Sequence, residues 1–264
     1  MGKLLWFSDL HFTSTGDQFG YDPRARLEAL IDYVVRVHSD ADLAVISGDM
    51  VDDPSVANYQ DLGARLQRLG MPYLPMTGNH DLRAPFVDAL SMPANTQDGF
   101  IQYAVTCDNL RLICLDTLTE HSGDGSFCEQ RFAWLSAELT RDIETPTVVF
   151  CHHPPLPLGY PALDPTHIDR GDALLDMLAG APNVIQLCFG HVHRHMIGTA
   201  KGLPYVSIRA VLYQAPPPVP AWTWDTFQPA HEAPELGVLT FGGDTLRLQF
   251  EQICDADTGF NIPN

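Results

Sequence analysis

Positive charge is scarce in this chain: 15 Lys and Arg stand against 33 Asp and Glu, a formal net charge of −18 over 264 residues. Nucleic acids and anionic membranes are held by clustered cations, so neither is expected as a partner. An anionic ligand would need positive charge brought in, and metal ions could bring it. Long hydrophobic runs are also missing. No apolar stretch approaches the roughly 20 residues that span a bilayer, so no membrane insertion is expected. The short run Leu4-Leu5-Trp6-Phe7 behind Lys3 reads as a first strand and not as a secretory leader. The cysteines Cys107, Cys114, Cys128, Cys151, Cys188 and Cys254 include no CxxC pair, which disfavours a thiolate zinc site. Cys114, Cys151 and Cys188 fall inside apolar runs and read as buried free thiols, which fits a reducing cytoplasm. No linker divides the chain, so 1–264 is expected to fold as one domain.

What the sequence does have is a set of short polar motifs, each directly after an apolar run: Asp9-Leu10-His11, Gly48-Asp49, Gly78-Asn79-His80-Asp81, His152-His153-Pro154-Pro155 and Gly190-His191-Val192-His193. The runs between them alternate in kind. Asp22-Pro23 supplies an N-cap and a first-turn proline for a helix with Leu27, Leu30, Ile31, Val34 and Val37 on one face. Leu43 to Ser47 reads as a buried strand, and Val56, Tyr59, Leu62, Leu66 and Leu69 mark a second amphipathic helix. Pro75 makes the strand that follows short or peripheral. Helical signals at 85–90 precede two strands, 101–106 and 110–115, expected to pair antiparallel across Cys107-Asp108-Asn109. A long loop, 116–129, leads into a helix through Trp134, Leu135 and Leu139. Strand 147–151, helix 172–178 and strand 184–189 continue the alternation, and a hairpin of 236–241 and 246–250 is expected to close a second sheet. Residues 213–235, rich in Pro and aromatics without periodicity, read as an ordered excursion, either a lid or an oligomer contact.

Every motif thus falls at the carboxyl end of a strand, where open α/β sheets place their ligands. Pooled, they offer Asp9, His11, Asp49, Asn79, His80, His152, His191 and His193: imidazole nitrogens with carboxylate and amide oxygens and no sulfur. That donor set suits divalent iron, manganese, zinc or cobalt. A lone Asp after a strand is usually a cap, and a lone His beside an apolar run is usually hydrogen-bonded packing; five matching sites together are not explained that way. In Asp9-x-His11 and His191-x-His193 an extended backbone would place both side chains on one face. Gly78 would permit a tight turn.

These motifs, in this order from residue 9 to residue 193, resemble the signature of the calcineurin-like metallophosphoesterases. Within that superfamily, His152 to Gly159 and the compact length resemble the class III cyclic nucleotide phosphodiesterases and the bacterial dinuclear glycerophosphodiesterases. The resemblance implies a four-layer αββα sandwich, two mixed β-sheets flanked by helices, carrying two divalent ions. One ion would be held by Asp9, His11, Asp49 and His193, the second by Asp49, Asn79, His152 and His191, with Asp49 bridging. The expected reaction is attack of a metal-bridging hydroxide on a small phosphodiester, with His80 stabilising the transition state or protonating the leaving group. Asp81 either assists or only fixes the turn, and His153 is expected to orient ligands without being one. His121 and His195 are expected to be peripheral, and 13–21, 156–167 and 213–227 are the stretches expected to meet substrate. Rival readings are a phospholipase-C-like enzyme or phosphomonoesterase on the same scaffold, a nuclease by fold analogy, and a metal-binding scaffold protein without catalysis.

Overall fold

A computed structural model describes residues 1–253 of the 264, so Cys254 lies outside the described residues. In chain order the elements are β1 (Gly2–Phe7), α1 (Pro23–Val37), β2 (Leu43–Ile46), α2 (Val56–Leu66), β3 (Tyr73–Pro75), α3 (Arg83–Ala89), β4 (Tyr103–Cys107), β5 (Leu110–Cys114), α4 (Glu129–Arg141), β6 (Thr147–Cys151), α5 (Gly171–Ala179), β7 (Val184–Phe189), β8 (Met196–Ala200), β9 (Leu203–Ser207), β10 (Glu235–Gly242) and β11 (Thr245–Gln252). They form two sheets, one ordered β11-β10-β1-β2-β3 and the other β4-β5-β6-β7-β9-β8. Each has a parallel centre built by helical crossovers, β1-α1-β2-α2-β3 and β5-α4-β6-α5-β7, with antiparallel strands added outside.

The period-two pattern of the strands sets the layers. Leu112 and Cys114 of β5 and Val148 and Phe150 of β6 join the large core shared with β1 and β2, while Ile113, Val149 and Cys151 join a second cluster with α4 and α5. The two sheets therefore pack face to face, Trp6 meeting Phe150 edge-on at 5.7 Å between ring centroids. On α1, Leu27, Leu30, Ile31 and Val34 are buried as the spacing requires, and Asp22 caps it by accepting from the Arg24 and Ala25 amides; burying each such apolar side chain contributes about 1.5–3 kcal/mol. Val37, in the last turn, is exposed instead. Pro75 sits on an edge strand as expected, where its missing N–H costs no ladder bond. Cys114, Cys151 and Cys188 are buried free thiols.

One expectation needs correction, and one hairpin was not foreseen. The C-terminal hairpin does not close the second sheet: β10 pairs antiparallel with β1 and so extends the first. The edge of β1 was open to it, because the crossovers grow that sheet from β1 towards β3 only. The hairpin of β8 and β9, turning at Lys201-Gly202, was not expected from the sequence, since Gly198 and Pro204 blur its alternation.

Candidate metal centre

The tips of β1, β2, β3, β6 and β7 lie side by side, and backbone hydrogen bonds continue past the strand ends to hold the loops in register. The His11 N–H donates to Asp49 O at 2.9 Å, Asp9 N–H to Gly48 O at 3.1 Å and Gly190 N–H to His152 O at 3.1 Å. The polar side chains are aimed not by an extended backbone but by a left-handed one. Asp9, His11, Asp49, His191 and His193 all have positive φ, between 41° and 67°. Each such residue costs of order 1 kcal/mol, a strain that gathers at sites where it serves a purpose. Gly78 also differs from expectation, since it is not among the glycines of positive φ. It is glycine because a Cβ there would collide with Asp49 Oδ1 and the Asp49 backbone nitrogen and lie 2.7 Å from His152 Nε2. Gly48, at φ 105°, likewise leaves room for the His152 ring, and Gly190 for Ser8 and the Asp9 carboxylate.

Two clusters result, joined by one carboxylate. In the first, His11 Nε2 lies 3.2 Å from His193 Nε2 and 3.4 Å from Asp49 Oδ2, and His193 Nε2 lies 3.3 Å from Asp9 Oδ1. In the second, Asn79 Oδ1 lies 3.1 Å from His152 Nε2 and 2.9 Å from His191 Nδ1, and Asp49 Oδ1 lies 3.4 Å from His152 Nε2. All seven side chains are buried except that of Asn79, which is half-buried.

The chemistry of this donor set fits cations. A carbonyl only accepts, so His152 Nδ1, 2.9 Å from Ser47 O, and His193 Nδ1, 2.7 Å from Tyr213 O, must each carry a proton. In the neutral rings both Nε2 atoms are then lone pairs aimed at other acceptors. Two imidazoles bound to one tetrahedral ion at about 2.05 Å would be about 3.3 Å apart, near the His11–His193 separation. Without an ion, protons serve the same need. Burial disfavours a charged His152, yet Asp49 and Asp9 outweigh it and push the imidazole up to about 9. Burial likewise works against the Asp9 and Asp49 carboxylates, but His193 and His152 hold Asp9 down at about 2, and His152, His80 and His11 hold Asp49 well below the ordinary range. His191, buried and beside His152, falls to about 3 and so presents a free lone pair.

The remaining predicted residues separate by geometry. His80 is half-exposed, and its Nδ1 lies 3.0 Å from Asp52 Oδ1, a partner the sequence reading missed. Its backbone N–H donates to Asp49 Oδ1 at 2.9 Å. The signal for Asp52 was only its place three residues after Asp49 in an acid-rich loop. Asp81 is buried behind the centre, and its carboxylate accepts from the Gly78 N–H at 2.8 Å, the Met50 N–H at 3.1 Å and the Tyr59 hydroxyl at 2.8 Å. It faces no open space, so of the two roles considered for it the structure favours tying the β2 and β3 loops together. His153 pairs through Nδ1 with Thr117 Oγ1 at 2.8 Å and has no hydrogen-bond partner among the described residues at its buried Nε2, although its ring lies 4.7 Å from that of His191. His195 sits away from the centre against Phe250, and His121 is exposed.

A cavity of about 530 Å³ opens over the clusters, lined by Asp49, Asn79, His80, His191 and His193 at its floor. All three stretches expected to meet substrate contribute walls: Gln18 and Phe19, Leu163 and Thr166, and Tyr213, Ala215, Trp224 and Phe227. Among the described residues no Lys or Arg lines it.

The same residues place the chain among known proteins. A 30% identical stretch of 216 residues, 80% of this chain and 79% of the other, matches a probable cyclic nucleotide phosphodiesterase of Rhodopseudomonas palustris. A glycerophosphodiester phosphodiesterase, GpdQ, of Enterobacter lignolyticus is 30% identical over 219 residues, 81% of this chain and 78% of the other. In fold, a dimetal phosphatase from Danio rerio superposes with a TM-score of 0.71 over 96% of this chain and 97% of the other, at 15% identity. The model of the calcineurin-like phosphoesterase family matches residues 2–195, the span that carries all five strand tips, and the chain belongs to that family.

Proposed function

We propose that this chain is a two-metal hydrolase of small phosphodiesters, of cyclic nucleotide or glycerophosphodiester type, working in the cytoplasm as one domain. Asp9, His11, Asp49 and His193 would hold one divalent ion and Asp49, Asn79, His152 and His191 the other. The observation that carries the reading is Asp49, whose two oxygens each lie 3.4 Å from an imidazole Nε2, one in each cluster. The nitrogen and oxygen donors suit iron, manganese, zinc or cobalt. Bound divalent ions supply charge for the phosphate and an acidified water for its attack.

The chain's own groups do the rest. Ser47 and Tyr213 fix the tautomers of His152 and His193 through their carbonyls, keeping both Nε2 atoms aimed inward. Asp52 takes Nδ1 of His80, which leaves the other ring nitrogen for the oxygen of the departing alcohol. Asp81 keeps the two loops at fixed distance. Among the described residues no Lys or Arg lines the cavity to pair with the second charge of a terminal phosphate dianion, which favours a diester over a monoester. The test is a metal-reconstituted assay of bis(4-nitrophenyl) phosphate against 4-nitrophenyl phosphate. A preference for the monoester would overturn the diesterase reading, and bound metal without turnover of either ester would leave the scaffold reading.

A further inference from the structure

The cavity has two unlike ends. Its floor is the charged centre; its mouth is a wall of aromatic rings from two stretches nearly two hundred residues apart in sequence. Tyr213 lies 4.7 Å from the His193 ring and 4.9 Å from Phe19, and Phe19 lies 5.1 Å from Phe227, which in turn lies 5.6 Å from Trp224. Rings thus run without a break from the metal side to the rim. Phe19 and Trp224 are 55% and 58% exposed, large apolar faces left in water at the edge of a cavity.

The wall is held in place before any ligand arrives. The Tyr21 hydroxyl lies 3.0 Å from His231 Nδ1 and joins the two stretches, and Gln18 Nε2 donates to His11 O at 3.0 Å. On the other side, Arg194 donates to Ala215 O at 3.1 Å and pairs with Glu232, and the Ala230 N–H donates to Gln214 O at 2.9 Å. Two polar groups of the wall are already engaged: the Thr166 hydroxyl with Leu163 O and His191 Nε2, and the Gln18 amide nitrogen with His11 O. A polyol placed here would give up water for few partners. A flat aromatic ring would lose little and would stack.

Resting on the phosphodiesterase reading, we propose that Phe19, Trp224 and Phe227 form a subsite for an aromatic ring of nucleobase size on the substrate's alcohol, and that this subsite selects a nucleoside phosphodiester over a glycerol one. Tyr213 links the subsite to the centre, so the ring is held while the phosphate sits over Asp49 and His80.

The experiment compares kcat/KM for adenosine 3′,5′-cyclic phosphate, glycerophosphoglycerol and glycerophosphocholine in the metal-loaded wild type, F19L and W224L. Leucine keeps apolar bulk and removes the ring face. Stacking on one ring is worth about 5- to 150-fold in binding, so either variant should lower the nucleotide-to-glycerol ratio by about 10-fold or more, and W224F should restore most of it. A ratio that does not move, or a wild-type preference for glycerophosphocholine lost in W224L, would overturn the subsite; the second result would make the wall a cage for a quaternary ammonium. Calorimetric binding of adenosine 5′-monophosphate and glycerol 3-phosphate separates this from the catalytic reading. If no diester is turned over, weaker nucleotide binding in W224L still supports the wall, and equal binding overturns it.

Discussion

Gly78→Ala replaces one hydrogen with a methyl group and changes none of the seven donor side chains, which makes it a sharp test of why the site is built as it is. The new Cβ would lie 2.7 Å from His152 Nε2 and nearer still to Asp49 Oδ1. Ordinary contact begins near 3.4 Å, so His152 must retreat by about 0.7 Å and Asp49 by more, or the β3 loop must move back by a similar amount. Overpacking of this kind costs about 1–3 kcal/mol, a fraction of the roughly 5–15 kcal/mol that holds a domain together, so the variant should fold. The shift falls on His152 of the second cluster and on Asp49, the carboxylate shared by both. Misplacement by about 1 Å costs on the order of 100-fold in rate. We therefore expect G78A to keep its circular dichroism spectrum, to lose about one of two metal equivalents by elemental analysis, and to lose about 100-fold in kcat. Two tightly bound metal equivalents with wild-type turnover would refute the steric account of Gly78.

Three further outcomes are expected. Asp52→Asn should retain metal while kcat falls about 10- to 100-fold, because the carboxylate lies 3.0 Å from His80 Nδ1 and only 3.5 Å from His11 Nδ1, where the amide oxygen can still accept; metal loss in elemental analysis would move its role to holding His11. Asp81→Ala strands the buried donors of Gly78, Met50 and Tyr59 and should cost roughly 3 kcal/mol in denaturant unfolding; unchanged stability with lost activity would return Asp81 to catalysis. Glu251 of β11 is partly desolvated, which raises its pKa, but hydrogen bonds from His38 and Tyr33 outweigh this and hold it below its ordinary value of 4.5. A lowered folded pKa stabilises above 4.5 and is lost as pH falls through the lowered value. Denaturation midpoints of wild type should therefore drop more steeply than those of E251Q below about pH 4.5, and parallel curves would count against the pairing.

Much of the centre was legible because its information is local. A strand tip is marked by where an apolar run stops, and an Asp or His at that point needs no neighbour to be noticed. Asp9, His11, Asp49, Asn79, His152, His191 and His193 were noticed this way together with His80, the family resemblance set His80 apart, and the structure brings the seven together. The partners of those residues were not legible. Asp52, Thr166 and the carbonyls of Ser47 and Tyr213 carry no distinguishing pattern, since a carbonyl is present in every residue and only its position makes it an anchor. The hairpin of β10 and β11 was found in the sequence but assigned to the wrong sheet, because periodicity reports which face of a strand is buried and not which strand lies beside it.

The sequence by itself determined the alternation of strands and helices, the donor types and the places where they interrupt apolar runs, since these follow from chemistry within a few residues. Only the tertiary structure decided that five Asp and His residues of the strand tips would be turned inward by positive φ, that Gly78 is small to admit Asp49 and His152 and not to turn the chain, and that Phe19 would meet Phe227 at the mouth of the cavity. Those depend on atoms brought close from distant parts of the chain, and distance through space is not written in the order of residues.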